Sequence, residues 1–261
     1  MTETIANLPC TITAEMSDSH PRKLIIAIDG PAGAGKSTVA SRLARKLGYV
    51  NLESGAMYRA LALKAIEWDI SFDDEAALDD LAHKSRIKIE PTLGGNRVFL
   101  DGRDVTQRVR ETDVSEAASR VSVHPQVRER MVGRQRELGA NGGVVMEGRD
   151  IGTKVFPDAD VKIFLDADPV IREQRRIQQQ HSRGASAESM ATELRERDRR
   201  DRTRANSPLQ AAPDATLLDS TSLSEDEVLD RIEAIVQLQL RAADHSAADP
   251  ATAEANSEDA K

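Results

Sequence analysis

The chain has 261 residues, 31% charged and 39% hydrophobic, with 36 basic against 44 acidic side chains and a formal net charge of −8. That length suits one large domain, or one with an insert, and the negative balance argues against bulk attraction to nucleic acid or anionic lipid. A single cysteine, Cys10, excludes an internal disulfide framework, and an aromatic content of 3%, with Trp68 the lone tryptophan, leaves little for base-stacking platforms.

Residues 1–21 read as a polar, unstructured leader without the basic start and apolar run of a secretory signal. No stretch approaches the ~18 apolar residues of a membrane span, so the expectation is a cytoplasmic monomer with no membrane or nucleic-acid partner. LIIAI (24–28), closed by Asp29-Gly30, has the pattern of a buried strand. After a glycine-rich stretch, Val39, Leu43 and Leu47 recur at helical spacing. YVNLES (49–54) and GAMYRALALKAIEWDI repeat the strand-then-helix order. Between 85 and 106 the pattern changes to alternation around Gly-Gly-Asn, which predicts an antiparallel hairpin with a short third strand.

Helical period returns over 107–138, with His124-Pro125 as a helix boundary and no metal role. GGVVMEGRD (142–150) and DVKIFLDA (160–167) are two further buried strands. Asp168-Pro169 opens a helix, 183–206 is dense in arginine, DATLLDS (214–220) is a fifth strand and SEDEVLDRIEAIVQLQL an amphipathic helix. From 242 the composition predicts an unstructured tail. Strands alternating with helices define an α/β chain: a five-stranded parallel sheet in three layers, interrupted by the antiparallel insert.

Gly30-Pro31-Ala32-Gly33-Ala34-Gly35-Lys36-Ser37 fits G-x-x-x-x-G-K-[ST] at every fixed position, between a strand and a helix. Glycines let successive N–H groups converge on phosphate oxygens, and the helix directs its positive end at the same point. Lys36 brings a cation to the outer phosphates, the Ser37 hydroxyl can hold Mg²⁺, and Thr38 continues the cradle. ATP or GTP is therefore the expected ligand. The sequence contains no Asp-x-x-Gly and no Asn-Lys-x-Asp, as a GTPase switch would need, and its third strand ends Met146-Glu147-Gly148-Arg149-Asp150 where a motor ATPase would carry Asp-Glu. A small kinase remains.

Five ordered stretches, IDGPAGAGKST (28–38), SGAMYRALAL (54–63), EAASRVSVHPQVRERM (116–131), EGRDIGTKVFPDADVKIFLDA (147–167) and RERDRRDRTRANSPL (195–209), resemble the bacterial cytidylate kinases. These belong to the P-loop nucleoside monophosphate kinases, and the resemblance covers roughly 23–240. It implies a kinase domain over 22–241, a monophosphate-binding insert at about 62–135 and a lid at about 172–200. It also implies transfer from Mg²⁺-ATP to CMP and dCMP, the alternative being another nucleotide or a small acid as acceptor.

Residue by residue, the resemblance implies that Ser54 and Arg59 lie beside the acceptor nucleotide, that Arg59 and Arg149 bind phosphate and that Ser119, Arg128 and Asp150 read cytosine. Arg197 and Asp201 contact ribose and phosphate, Arg204 closes on the acceptor, and Arg175 and Arg176 meet ATP phosphates. Lys36, Arg59, Arg149 and Arg204 are the expected catalytic set. The residues allow other roles: Asp150 could brace Arg149 or orient a Mg²⁺ water, and Glu147 stands equally as reader or as neighbour of the metal. Arginines of this number also serve surface ion pairs, which is the commoner use. The second Gly-Arg-Asp, 102–104, follows a hairpin strand and reads as a turn.

Overall fold

The computed structural model describes residues 23–92, 95–180 and 187–248. Five parallel strands form the central sheet: β1 (Ile25–Asp29), β2 (Val50–Glu53), β6 (Val144–Gly148), β7 (Val161–Asp166) and β8 (Thr216–Asp219), in the order β2-β6-β1-β7-β8. The inner strands are continuous apolar runs because both faces are covered. Their period of two sends Ile26, Ile28 and Val145 to one face and Ala27, Val144 and Met146 to the other.

On the first face lie α1 (Lys36–Leu47), through Val39 and Leu43, and α8 (Glu225–Ala248), through Val228, Ile232 and Val236. On the second lies α2 (Ser54–Glu67), which is buried almost all round because the insert wraps it. The insert comprises α3 (Glu75–Lys84), the antiparallel strands β3 (Ile87–Thr92), β4 (Gly95–Leu100) and β5 (Arg103–Asp104), and the helices α4 (Thr112–Val121) and α5 (Pro125–Gly139). Ile89 pairs with Val98, so the inward faces of β3 and β4 close on the same apolar cluster. Beyond the sheet stand α6 (Pro169–Gln180) and α7 (Ala187–Thr203).

The expected sheet, hairpin and short third strand are all present, and Asp101-Gly102, both at positive φ, make the turn before Arg103. Three features depart from the sequence reading. Helix α3 was not legible: it is ten residues long, with Leu78, Leu81 and Ala82 as its buried contribution and Asp74 accepting from the Ala77 N–H at 3.0 Å as its cap. A π-turn over Ile151–Val155 follows β6, where nothing regular was expected. Helix α8 runs to Ala248, past the boundary set at 241, because an alanine-rich segment sustains helix by propensity without needing apolar periodicity. The leader 1–21, with Cys10, and the tail beyond 248 lie outside the described residues.

Candidate active site

β1 is bordered by β6 on one side and β7 on the other, so the chain leaves the sheet in opposite directions at their carboxyl ends and opens a crevice there. Three connections meet in it: the glycine loop after β1, the start of α2 after β2, and the Gly148–Asp150 turn after β6. Two glycines of the loop cannot be replaced without moving backbone. At Gly30, φ is +148° and a Cβ would stand 1.9 Å from the Leu165 carbonyl oxygen; at Gly33, φ is +78° and it would stand 2.9 Å from that of Arg172.

One cavity is lined from the loop by Ala32, Gly33, Gly35, Lys36, Ser37 and Thr38, and from the opposite walls by Ser54, Arg59, Ser119, Arg128, Arg149, Asp150, Arg176, Arg197, Asp201 and Arg204. Most of the expected binding residues therefore converge on one space, from the glycine loop, α2, α4, α5, the turn after β6, α6 and α7. Gly30, Pro31 and Ala34 lie behind it and shape the loop; the Pro31 carbonyl accepts from Lys36 Nζ at 2.7 Å. Arg175 is turned away from this cavity. It donates to the Ser220 carbonyl at 2.7 Å and its hydroxyl at 3.0 Å, beside a second groove that borders the outer side of the glycine loop.

The cavity holds arginines beyond what its carboxylates neutralise. Arg149 Nε donates to Asp201 Oδ2 at 2.9 Å, and Arg204 Nη1 to Asp201 Oδ1 at 3.4 Å, so Asp201 orients two guanidiniums at once. Burial alone would raise the Asp201 pKa, but Arg149 and Arg197 hold it below the usual carboxylate range. Burial and the neighbouring Arg149 lower Arg197 to about 10. The Lys36 ammonium is pushed down to about 7, by burial first and then by Arg149. Without nucleotide, the site is over-supplied with positive charge.

Deeper in the cavity, Arg128 pairs with Asp150, donates to the Ser122 carbonyl at 3.0 Å and stacks over Tyr58, 5.5 Å from the ring centre. This removes one of the alternatives for Asp150: its carboxylate engages Arg128, while Arg149 is braced by Asp201. Four buried polar atoms on the cavity residues have no hydrogen-bond partner among the described residues: Arg59 Nε, Ser119 Oγ, Arg128 Nε and Arg204 Nη2. Buried donors are ordinarily satisfied, so this wall is built for a polar ligand.

Glu147 and three residues the sequence did not single out, Glu53, Arg172 and Asp198, complete the frame. Glu53 pairs with Arg59; burial would raise this carboxyl, and Arg59 keeps it low. Glu147 Oε1 accepts from Ser37 Oγ at 2.7 Å, and burial followed by the nearby Glu53 raises its pKa. Glu147 thus stands with the loop serine, as a neighbour of the expected metal position. Hard oxygens of a serine and a carboxylate are the donor chemistry Mg²⁺ takes, so the residues fit that ion. Asp198 of α7 and Arg172 of α6 form a buried pair that also grips Ala32: Arg172 Nη1 donates to its carbonyl at 3.2 Å and its N–H donates to Asp198 Oδ1 at 3.4 Å. None of these partners adjoins the other in sequence, which is why spacing does not reveal them.

A phosphate-cradling loop on a parallel sheet, facing an arginine-lined pocket beneath an inserted subdomain, defines a P-loop nucleoside monophosphate kinase. A family model described as cytidylate kinase matches residues 26–238. The cytidylate kinase of Solibacter usitatus (strain Ellin6076) is 49% identical over 226 residues, covering 85% of this chain and 96% of the relative. That of Anoxybacillus flavithermus is 50% identical over 218 residues, covering 83% and 97%, and that of Aeromonas salmonicida 47% identical over 218, covering 83% and 95%. The chain belongs to the cytidylate kinase family. No helix among the described residues is long and apolar enough to cross a membrane.

Proposed function

We propose that this enzyme transfers the γ-phosphoryl group of ATP to CMP and to dCMP, releasing ADP with CDP or dCDP. The observation that carries the acceptor choice is the buried Arg128–Asp150 pair, with unsatisfied donors beside it on Ser119, Arg128 and Arg204. Cytosine offers an exocyclic amine that a carboxylate accepts, and a ring nitrogen and carbonyl that accept from arginine or serine. Uracil reverses donor and acceptor at two of these positions and would set a carbonyl oxygen against Asp150. A buried mismatch of that kind discriminates by orders of magnitude.

The chemistry needs no proton-abstracting side chain. A phosphate monoester has its second ionisation near pH 6, so the acceptor is a dianion at neutral pH. One of its oxygens attacks the γ-phosphorus in line while the bond from that phosphorus to the β–γ bridging oxygen breaks, and charge is conserved across the step. The barrier lies in bringing two polyanions together, and the residues offset it. Loop N–H groups and Lys36 hold the donor phosphates, and Arg176 approaches them from α6. Arg59 and Arg149 hold the acceptor phosphate as forks, with Ser54 beside it. Arg197 and Asp201 meet ribose and phosphate, and Arg204 closes the wall. Mg²⁺, held by Ser37 with Glu147 next to it, would neutralise β- and γ-phosphate charge.

An ADP-release assay across CMP, dCMP, UMP, AMP and GMP tests the reading. CMP and dCMP are expected to lead in kcat/KM by at least about a hundredfold over the purines. Comparable rates with AMP or GMP would overturn it in favour of a kinase for another acceptor.

A further inference from the structure

The turn that carries Arg149 and Asp150 begins with two orphan donors. Within the π-turn, the Val155 N–H donates to the Asp150 carbonyl at 3.2 Å and the Phe156 N–H to that of Ile151 at 2.7 Å. The N–H groups of Ile151 and Gly152, at its start, have no partner inside it. The residue in the capping position is Asp150, of a type whose carboxylate readily folds back onto such donors. It makes no capping bond here.

A residue from the next strand does so instead. Asp29, at the end of β1 and opposite Gly148, accepts from Ile151 N at 2.8 Å through Oδ1 and from Gly152 N at 2.7 Å through Oδ2. Both carboxylate oxygens are committed, and the side chain is buried. Burial raises its pKa to about 6 against the opposing pull of those two N–H groups. Keeping a carboxylate in such a place is unfavourable unless its position does something a neutral residue could not.

We infer that Asp29 is a positioning residue for acceptor recognition: by capping the turn from β1 it leaves the Asp150 carboxylate free to pair with Arg128 and face the base. The inference rests on the reading of Asp150 given under the proposed function.

The test is Asp29→Asn, alone and combined with Asp150→Asn. Asparagine offers one acceptor where two are needed and turns an amide N–H toward the other donor. Asp29 makes no salt bridge among the described residues, although its charge is felt by Lys36, and asparagine keeps its shape, so the variant is expected to fold; Asp29→Ser, smaller and with one acceptor, repeats the measurement if it does not. Asp150 is then drawn onto its own turn. KM for CMP rises about tenfold and the CMP-over-UMP ratio in kcat/KM falls by a similar factor, while affinity for a non-hydrolysable ATP analogue stays within about twofold. With Asp150 already changed to Asn, the Asp29 substitution moves the ratio little further. A lowered Tm with an unaltered ratio, or effects of the two substitutions that add in full, would overturn the capping role. If Asp150→Asn alone leaves the ratio unmoved, the reading of Asp150 fails and takes the inference with it. If it moves the ratio and Asp29→Asn does not, only the inference fails.

Discussion

Lys36 is buried among arginines and holds its ammonium proton weakly, with a pKa brought to about 7 from 10.5 by burial and Arg149. Anionic phosphates in the loop reverse that cause, since the bound charge favours the protonated lysine. The sign follows directly. At pH 8 much of Lys36 is neutral in the free enzyme and charged in the complex, so ATP binding takes up protons; at pH 6 it is already charged and uptake vanishes. Titration calorimetry in buffers of different ionisation enthalpy reads this number. Uptake of up to about one proton per site at pH 8 is expected, and none at pH 8 would contradict the role given to Lys36. At this scale the phosphate loop was legible because its chemistry sits in eight consecutive residues. Glu53, Asp29, Arg172 and Asp198 were not, because their significance lies in partners brought from other elements.

Among the elements, α7 has two working sides. Arg197 and Asp201, four apart, face the acceptor cavity, while Asp198 reaches the glycine loop and Arg172 of α6. The Arg172–Asp198 pair thereby ties both α6 and α7 to Ala32. Its side chains are only 5% and 12% exposed, so removing one partner strands a buried charge. Asp198→Ala is expected to cost roughly 3–5 kcal/mol in urea unfolding. Replacing both, as Arg172→Met with Asp198→Leu, is expected to cost clearly less than the two single changes summed. Additive losses would show that the pair is not coupled. The elements were mostly readable as periodicity: the five strands, the hairpin and the first and last helices follow from it. Helix α3 escaped because three buried residues in ten give too weak a pattern. The π-turn escaped because its first two N–H groups are met by Asp29, which sequence order places 122 residues before Ile151.

Taken whole, the molecule opens one crevice where β1 lies between β6 and β7, and the proposed function sets two phosphate sites against each other across it. The insert, α2, the turn after β6, α6 and α7 each supply arginines, the sheet supplies the loop, and burial makes each charge count for more than it would in water. The class of reaction was legible from the motifs because they name the residue types. The division of labour among the arginines was not, since only the fold shows that Asp201 orients Arg149 and Arg204 while Asp150 holds Arg128. Direct transfer requires both nucleotides to be bound together, phosphates facing, without an intermediate on the enzyme. An inhibitor joining adenosine to cytidine through a chain of phosphates tests this most directly, by steady-state inhibition patterns. Competition against both ATP and CMP is the predicted result; competition against neither of them would contradict it.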